Sequence, residues 1–287
     1  MPELPEVEIV KRSLKNKIYG KKIKKVIVSN RNLRFKIQNN FEKTLRYSSV
    51  IKISRFSKYI ILTFDNYKFC IIHLGMSGTL HLIDFNKKKN VTNLSFYQYM
   101  NLPIKHNHIK ISFDKFEIIY NDPRRFGFFK IFNSKEEIQK YFKNKGPDAL
   151  SFNFSNFYLI NKLKKIKKNI KNCLLDQKII SGIGNIYSSE ILFYSKINPF
   201  KSANKLSNKE IKRLIKFTKI VLRLSIKNGG SSIRDFKNTK GSNGFFQDQF
   251  KVYNQANKKC PRKKCIGKII RVFQSNRSTF FCKSCQK

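Results

Sequence analysis

Tyr59-Ile-Ile-Leu-Thr-Phe64, followed after a short polar turn by Phe69-Cys-Ile-Ile-His-Leu74, is the stretch that decides the fold. Both runs are rich in β-branched and aromatic residues, and Asp65-Asn66 supplies turn chemistry between them, so the pair reads as a β-hairpin. The same pattern recurs outward from it, at Ile23–Val28, Thr79–Ile83, His108–Phe113, Phe116–Tyr120 and Phe126–Phe132, with Asp114-Lys115 as a second short turn. Strands in this number, with no helices between them, predict an antiparallel sandwich or barrel. Asn86–Asn93 is polar and lysine-rich and reads as an exposed loop. Ahead of the strands, Val7, Val10, Leu14 and Ile18 fall at helical spacing.

Beyond residue 134 the period becomes helical. Ser134-Lys-Glu-Glu137 has the form of a capping box, and Gly146-Pro147 ends the short helix it opens, so 135–150 reads as a linker with that helix at its start. Helical segments are expected near 155–175, 186–195 and 207–227. The last opens on the capping box Ser207-Asn-Lys-Glu210 and stops at Gly229-Gly230. Gly229–Gly244, rich in Gly, Ser, Asn and Lys, reads as a loop that orders on binding. The predicted class is α+β and multidomain: 1–134 a helix plus sandwich, 151–244 helical, and 245–287 a small cysteine-bearing module.

Composition sets the outer bounds. With 61 Lys and Arg against 17 Asp and Glu, the formal charge of +44 favours a polyanionic partner and salt-dependent binding. Alanine occurs only three times, while Lys, Asn, Ile and Phe abound, a bias over the whole chain that raises lysine without marking a site. No apolar run reaches membrane-spanning length, and the acidic N-terminus is unlike a signal peptide, so the expected compartment is the cytosol.

Five motifs carry chemistry. Met1-Pro-Glu-Leu-Pro-Glu-Val-Glu8 holds three of the chain's 17 acids. Pro5 and the carboxylates suit a helix start, but Pro2, once Met1 is trimmed, is also a secondary amine able to form an iminium. Cys260-x4-Cys265-x16-Cys282-x2-Cys285 offers four thiolates for one structural tetrahedral Zn²⁺. Cys70 and Cys173 sit apart in apolar surroundings and read as buried. Gly182-Ile-Gly-Asn185 fits either a phosphate seat at a helix N-terminus or a plain interhelical turn. Asp122-Pro-Arg-Arg-Phe-Gly127 fits a groove-entering loop or a packed hairpin, and in His73-Leu-Gly-Met-Ser-Gly78 the glycines place Met76 at a bend.

Taken in order, these motifs, with Lys58 in Arg55-Phe-Ser-Lys-Tyr59 and Gly182-Ile-Gly-Asn-Ile-Tyr187, resemble bacterial formamidopyrimidine-DNA glycosylases along essentially the whole chain. The resemblance implies a β-sandwich, a helix–two-turn–helix domain and a zinc finger holding double-stranded DNA in the cleft between them. It implies a monomeric, cytoplasmic, nucleoid-associated enzyme that removes oxidised purines and then cleaves the strand. Pro2 would attack the sugar C1′ of the flipped-out nucleotide, with Glu3 as acid/base, Glu6 ordering the site and Lys58 moving protons. Arg277 would assist δ-elimination, and Met76, Arg124 and Phe126 would fill the void left by the base. His106, Asn185 and Lys167 would contact the backbone, and Gly229–Gly244 would cap the flipped base. The x4 cysteine spacing departs from the family's usual x2. Two rivals stand beside this reading: an endonuclease VIII-type enzyme for oxidised pyrimidines, and a non-catalytic zinc-ribbon DNA-binding protein.

Overall fold

Helix α1, Leu4–Ile18, begins where the sequence places Pro5 in the first turn and ends with Lys15 and Lys17 near its carbonyl end, both favourable to the helix dipole. Its stripe Val7, Val10, Leu14 and Ile18 is buried to 2% exposure or less. Burying each such side chain contributes about 1.5–3 kcal/mol. A computed structural model describes residues 2–85, 103–231 and 246–287, with the backbone alone of 91–93. It divides into two units, 1–143 with 228–245, and 144–227 with 246–287.

The first unit is a sandwich. After β1 (Lys25–Val28) and the short α2 (Phe41–Leu45) come β2 (Val50–Phe56), β3 (Tyr59–Phe64), β4 (Phe69–His73), β5 (Thr79–Asp84), β6 (Val91–Asn93), β7 (Asn107–Ser112), β8 (Phe116–Asn121) and β9 (Phe128–Phe132). Among the described residues one sheet runs β1-β7-β8-β5-β6 and the other β2-β3-β4-β9, all pairs antiparallel. The inward residues of both sheets, Ile60, Leu62 and Ile72 against Leu80, Ile109 and Ile118, close one core with the α1 stripe. Within this unit the structure corrects the sequence reading in three places. Val91–Asn93, expected in a loop, pairs with β5 as an edge strand. Val50–Phe56 is a strand although its alternation is broken by exposed Ile51 and half-buried Phe56. Helix α3, Lys135–Phe142, lies in the expected linker, yet its buried Ile138 packs on Ile71, Phe128 and Phe132 of the sandwich.

The second unit contains α4 (Asn156–Leu163), α5 (Ile170–Leu175), α6 (Asn185–Tyr194), α7 (Asn208–Lys227) and the hairpin β10 (Ile269–Gln274)–β11 (Arg277–Cys282). The expected helix over 155–175 is two helices, parted by the lysine-rich 164–169. The Ser207–Glu210 capping box forms reciprocally, at 2.8 and 3.2 Å. The α6 residue Glu190, fully buried, accepts from the N–H groups of Lys251, Val252 and Tyr253, tying the C-terminal segment to the helices. Burial pushes its carboxyl up, against those three donors.

One buried group makes sandwich stability depend on pH. The Thr79 hydroxyl donates to the Asn121 carbonyl at 3.1 Å, so at 2.7 Å it must accept from His81 Nε2–H. Among the described residues His81 Nδ1 has no partner, and burial pushes the imidazole down from 6.5 to about 4. Because the folded value is depressed, the unfolded chain takes the proton first. The contribution is complete above pH 6.5 and is lost as the pH falls toward 4. The loss amounts to about 2 kcal/mol at pH 5. Urea unfolding at pH 7 and pH 5 should show this loss in the wild type and a smaller one in His81→Gln; equal losses would refute it.

Candidate functional site

At the N-terminus, Pro2 is buried and Glu3 and Glu6 are each 3% exposed, unusual for carboxylates in so basic a chain. Glu6 holds the start of α1 through one oxygen, which accepts from the Glu3 N–H at 2.9 Å. Its other oxygen accepts from both the N–H and the hydroxyl of Ser231, each at 2.9 Å. Ser231 carries no signal in the sequence, since it sits in a Gly/Ser-rich run and its partner is 225 positions away. Residues 232–244 of the expected capping loop, like Met1, lie outside the described residues.

Lys58 occupies the tip of the β2–β3 hairpin, where Phe56 pairs with Tyr59 and the chain reverses in two residues. Ser57 makes this turn possible with a φ of +57°. A hairpin tip normally faces water, and a lysine there would be solvated. Here Ser57 is 1% and Lys58 6% exposed.

At the end of β8, Asp122 gathers three elements that bear predicted residues. Its Oδ1 accepts from the Ser77 hydroxyl at 2.5 Å and the Arg124 N–H at 3.3 Å; its Oδ2 accepts from the Tyr120 hydroxyl and the Gly127 N–H, both at 2.9 Å. Its N–H donates to the His106 carbonyl at 3.0 Å, and its carbonyl accepts from His108 Nε2 at 2.8 Å. Met76, beside Ser77, stands 37% exposed, and Phe126 43% exposed with the Arg124 guanidinium 4.6 Å over its ring. The two loops approach so closely that a Cβ on Gly75, which also has a φ of +66°, would strike the Phe126 and Gly127 backbone. A Cβ on Gly127 would meet the Tyr120 hydroxyl and the His73 carbonyl. The sequence shows the two glycine motifs but not that one aspartate joins them. Burial, then the Asp122 charge, pushes the Tyr120 phenol well up.

In the second unit, exposed Arg277 opens β11, after a turn at Ser275 and Asn276, both in the left-handed region. The carbonyl of its neighbour Ser278 accepts from Asn185 Nδ2 and from Lys171 Nζ, each at 3.0 Å; Lys171 also donates to Thr279 Oγ1 at 2.7 Å. Lys171 is fully buried, and in sequence it is indistinguishable from the many lysines around it. Asn185, predicted to face a phosphate, thus spends one amide hydrogen on the hairpin. Lys167 is exposed, with its carbonyl accepting from the Ser202 hydroxyl at 2.9 Å.

Cys260, Cys265, Cys282 and Cys285 bring their sulfurs within 4.8 Å of one another, with Cys260–Cys285 at 3.8 Å and Cys265–Cys282 at 3.7 Å. A tetrahedron with metal–sulfur bonds of about 2.3 Å has edges of about 3.8 Å, so the four fit one Zn²⁺. The x4 spacing is absorbed in a turn where Lys264 takes a φ of +63° and the Cys260 N–H reaches the Gly267 carbonyl at 2.8 Å. Cys70 and Cys173 are apart from this cluster and buried.

Residues 1–129 match the family described as formamidopyrimidine-DNA glycosylase N-terminal domain, and residues 145–237 its H2TH domain. A formamidopyrimidine-DNA glycosylase of Wolbachia pipientis wMel is 41% identical over 287 residues, covering all of both chains. A Lactococcus lactis FPG mutant, solved in complex with Fapy-dG-containing DNA, is similar with a TM-score of 0.85 and 32% identity over the whole of both chains. The wild-type L. lactis protein, in complex with DNA containing an oxidised pyrimidine, gives 0.84 and 32%, again over the whole of both chains.

Proposed function

Because the chain belongs to the formamidopyrimidine-DNA glycosylase family, and is a DNA glycosylase of base excision repair, we propose that it removes oxidised purines from double-stranded DNA and then cleaves the strand. The observation that carries the reading is the buried N-terminus, where Pro2 and Glu3 are held by a Glu6 carboxylate whose oxygens are both engaged.

The Pro2 nitrogen lone pair forms a bond to C1′ of the extruded nucleotide, and the base departs with the glycosidic electrons and takes up a proton. Glu3 exchanges protons with the sugar, which opens to an iminium between Pro2 and C1′. Loss of a C2′ proton expels the 3′-phosphate, and a second elimination expels the 5′-phosphate. Lys58 handles protons and phosphate in the first elimination and Arg277 assists the second. Met76, Arg124 and Phe126 fill the vacated stack, with Asp122 setting their loops. His106, Lys167 and Asn185 contact the backbone, Asn185 through its remaining amide hydrogen. The four cysteines would hold one Zn²⁺ whose chemistry is structural, since four thiolates complete its coordination sphere.

The sandwich thus carries the reaction, and the helical and finger segments bind DNA in a monomeric, cytoplasmic protein. No helix among the described residues is long and apolar enough to cross a membrane. Paired duplexes test the substrate class. Cleavage of an 8-oxoguanine duplex should outpace that of a thymine glycol duplex by about tenfold or more under single-turnover conditions. The reverse order would assign the chain to oxidised pyrimidines.

A further inference from the structure

Arg55 touches both elements to which the proposed chemistry is assigned. Its Nε donates to Glu8 Oε2 at 2.9 Å, and its Nη1 donates to the Ser57 carbonyl at 2.8 Å. Glu8 lies on α1, directly behind Glu3 and Glu6. The Ser57 carbonyl belongs to the peptide unit that supplies the Lys58 nitrogen, so the guanidinium fixes the plane from which Lys58 departs. The Arg55 and Glu8 side chains are only 9% and 12% exposed. Burial pushes the Glu8 carboxyl up, but Lys11, Arg55 and Arg12 together hold it below the usual carboxylate range. Lys11 at 2.8 Å and Arg12 at 2.9 Å share the opposite oxygen, Oε1, so they orient Glu8 without competing for Oε2.

A helix cap needs none of this. Glu8 is past the first turn of α1, and a two-residue hairpin closes on its own ladder. What the arrangement does achieve is to register the tip of one element against the start of another. We infer that Arg55 is a positioning residue for the lyase step, bracing the Lys58 turn against the helix that bears Pro2 and Glu3; this rests on the glycosylase and lyase reading above. The geometry requires a planar fork, because the two acceptors lie on different elements and take different nitrogens. A lysine at 55 keeps the charge beside Glu8 but gathers its donors on one atom.

The test uses the full chain carrying Arg55→Lys, with Glu8→Gln as a second variant. Three quantities are measured: the single-turnover cleavage rate on abasic-site DNA, the borohydride-trapped adduct on the same DNA, and the Kd for uncleavable tetrahydrofuran DNA. Arg55→Lys should cleave more slowly by about tenfold or more, because small misplacements of a reacting group have costs of this order. Its trapped adduct should persist, its Kd should stay within about threefold, and its Tm should be nearly that of the wild type. A merely structural role would lower adduct, cleavage and Tm together. Glu8→Gln should slow cleavage in the same sense, since it removes the charge that anchors the guanidinium and leaves one acceptor oxygen for three donors. Wild-type cleavage by Arg55→Lys, or adduct and cleavage falling in step with the folded fraction, overturns the inference and leaves the enzyme reading standing. A wild-type protein that traps on no abasic DNA overturns both.

Discussion

A chain carrying one extra residue ahead of Pro2 is expected to form no borohydride-trapped adduct on 8-oxoguanine or abasic DNA, while unfolding at the wild-type temperature. The added residue turns the proline amine into an amide, whose nitrogen lone pair is delocalised into the carbonyl and no longer attacks carbon. The lysines cannot take its place, since an ordinary lysine with a pKa of about 10.4 is protonated at neutral pH, whereas an α-amine, at about 7.7–8.0, keeps a usable unprotonated fraction. The local fold gives the amine its address. Glu6 pins the Glu3 N–H, and Pro5 starts the helix behind it. The expected loss is about a thousandfold or greater, the scale on which removing a covalent nucleophile acts. Because α1 begins only at Leu4, the extension should leave the core stripe undisturbed. Adduct formation at the wild-type level in the extended chain would remove Pro2 from the mechanism.

Replacing Asp122 by asparagine should destabilise the sandwich by about 2–4 kcal/mol. Four donors converge on a fully buried carboxylate, and two of them, the Arg124 and Gly127 N–H groups, are backbone and cannot turn away. An asparagine has one acceptor oxygen and must point its NH2 at one of the two pairs, setting donor against donor. Hydroxyls can rotate in response, as Ser77 and Tyr120 would; the backbone cannot. Urea unfolding of Asp122→Asn, monitored by near-UV signals from the 12 tyrosines in a chain without tryptophan, measures the change. A loss under about 0.5 kcal/mol, the range of ordinary surface substitutions, would show that the network is not a strut. Arg124→Ala provides the control, because that side chain is exposed and should leave stability nearly unchanged.

Much of the fold is legible in the sequence because its causes are local. The α1 stripe, the β3–β4 hairpin and the Ser207–Glu210 cap all depend on residues a few positions apart, and each forms where periodicity places it. Strand β2 escapes such a reading because its two faces do not alternate cleanly, with Ile51 exposed where a lone strand would bury it. The expected 155–175 helix is too long because Lys164–Asn169 is polar without containing a Gly or Pro to break the pattern. At the site, the motif residues can be named from the sequence, but their supports cannot. Ser231, Lys171 and Arg55 are ordinary residues in a polar, basic chain, and they gain meaning only from partners 225, 107 and 47 positions away.

The Glu6–Ser231 pair also sets an order of assembly. A nascent chain exposes Glu6 almost at once, but the two donors for its second oxygen are made 225 residues later. At about 5–20 residues per second that interval is roughly 10–45 s. All the strands of the sandwich and helices α4 to α7 are synthesised within it. Until then that oxygen lacks the two Ser231 donors, and Pro2, the proposed nucleophile, lacks the support they give. A chain arrested before Ser231 therefore holds every residue assigned to the sugar in the sandwich and the Glu3–Glu6 bond of the first turn, yet lacks the two hydrogen bonds that tie Glu6 to the distant segment.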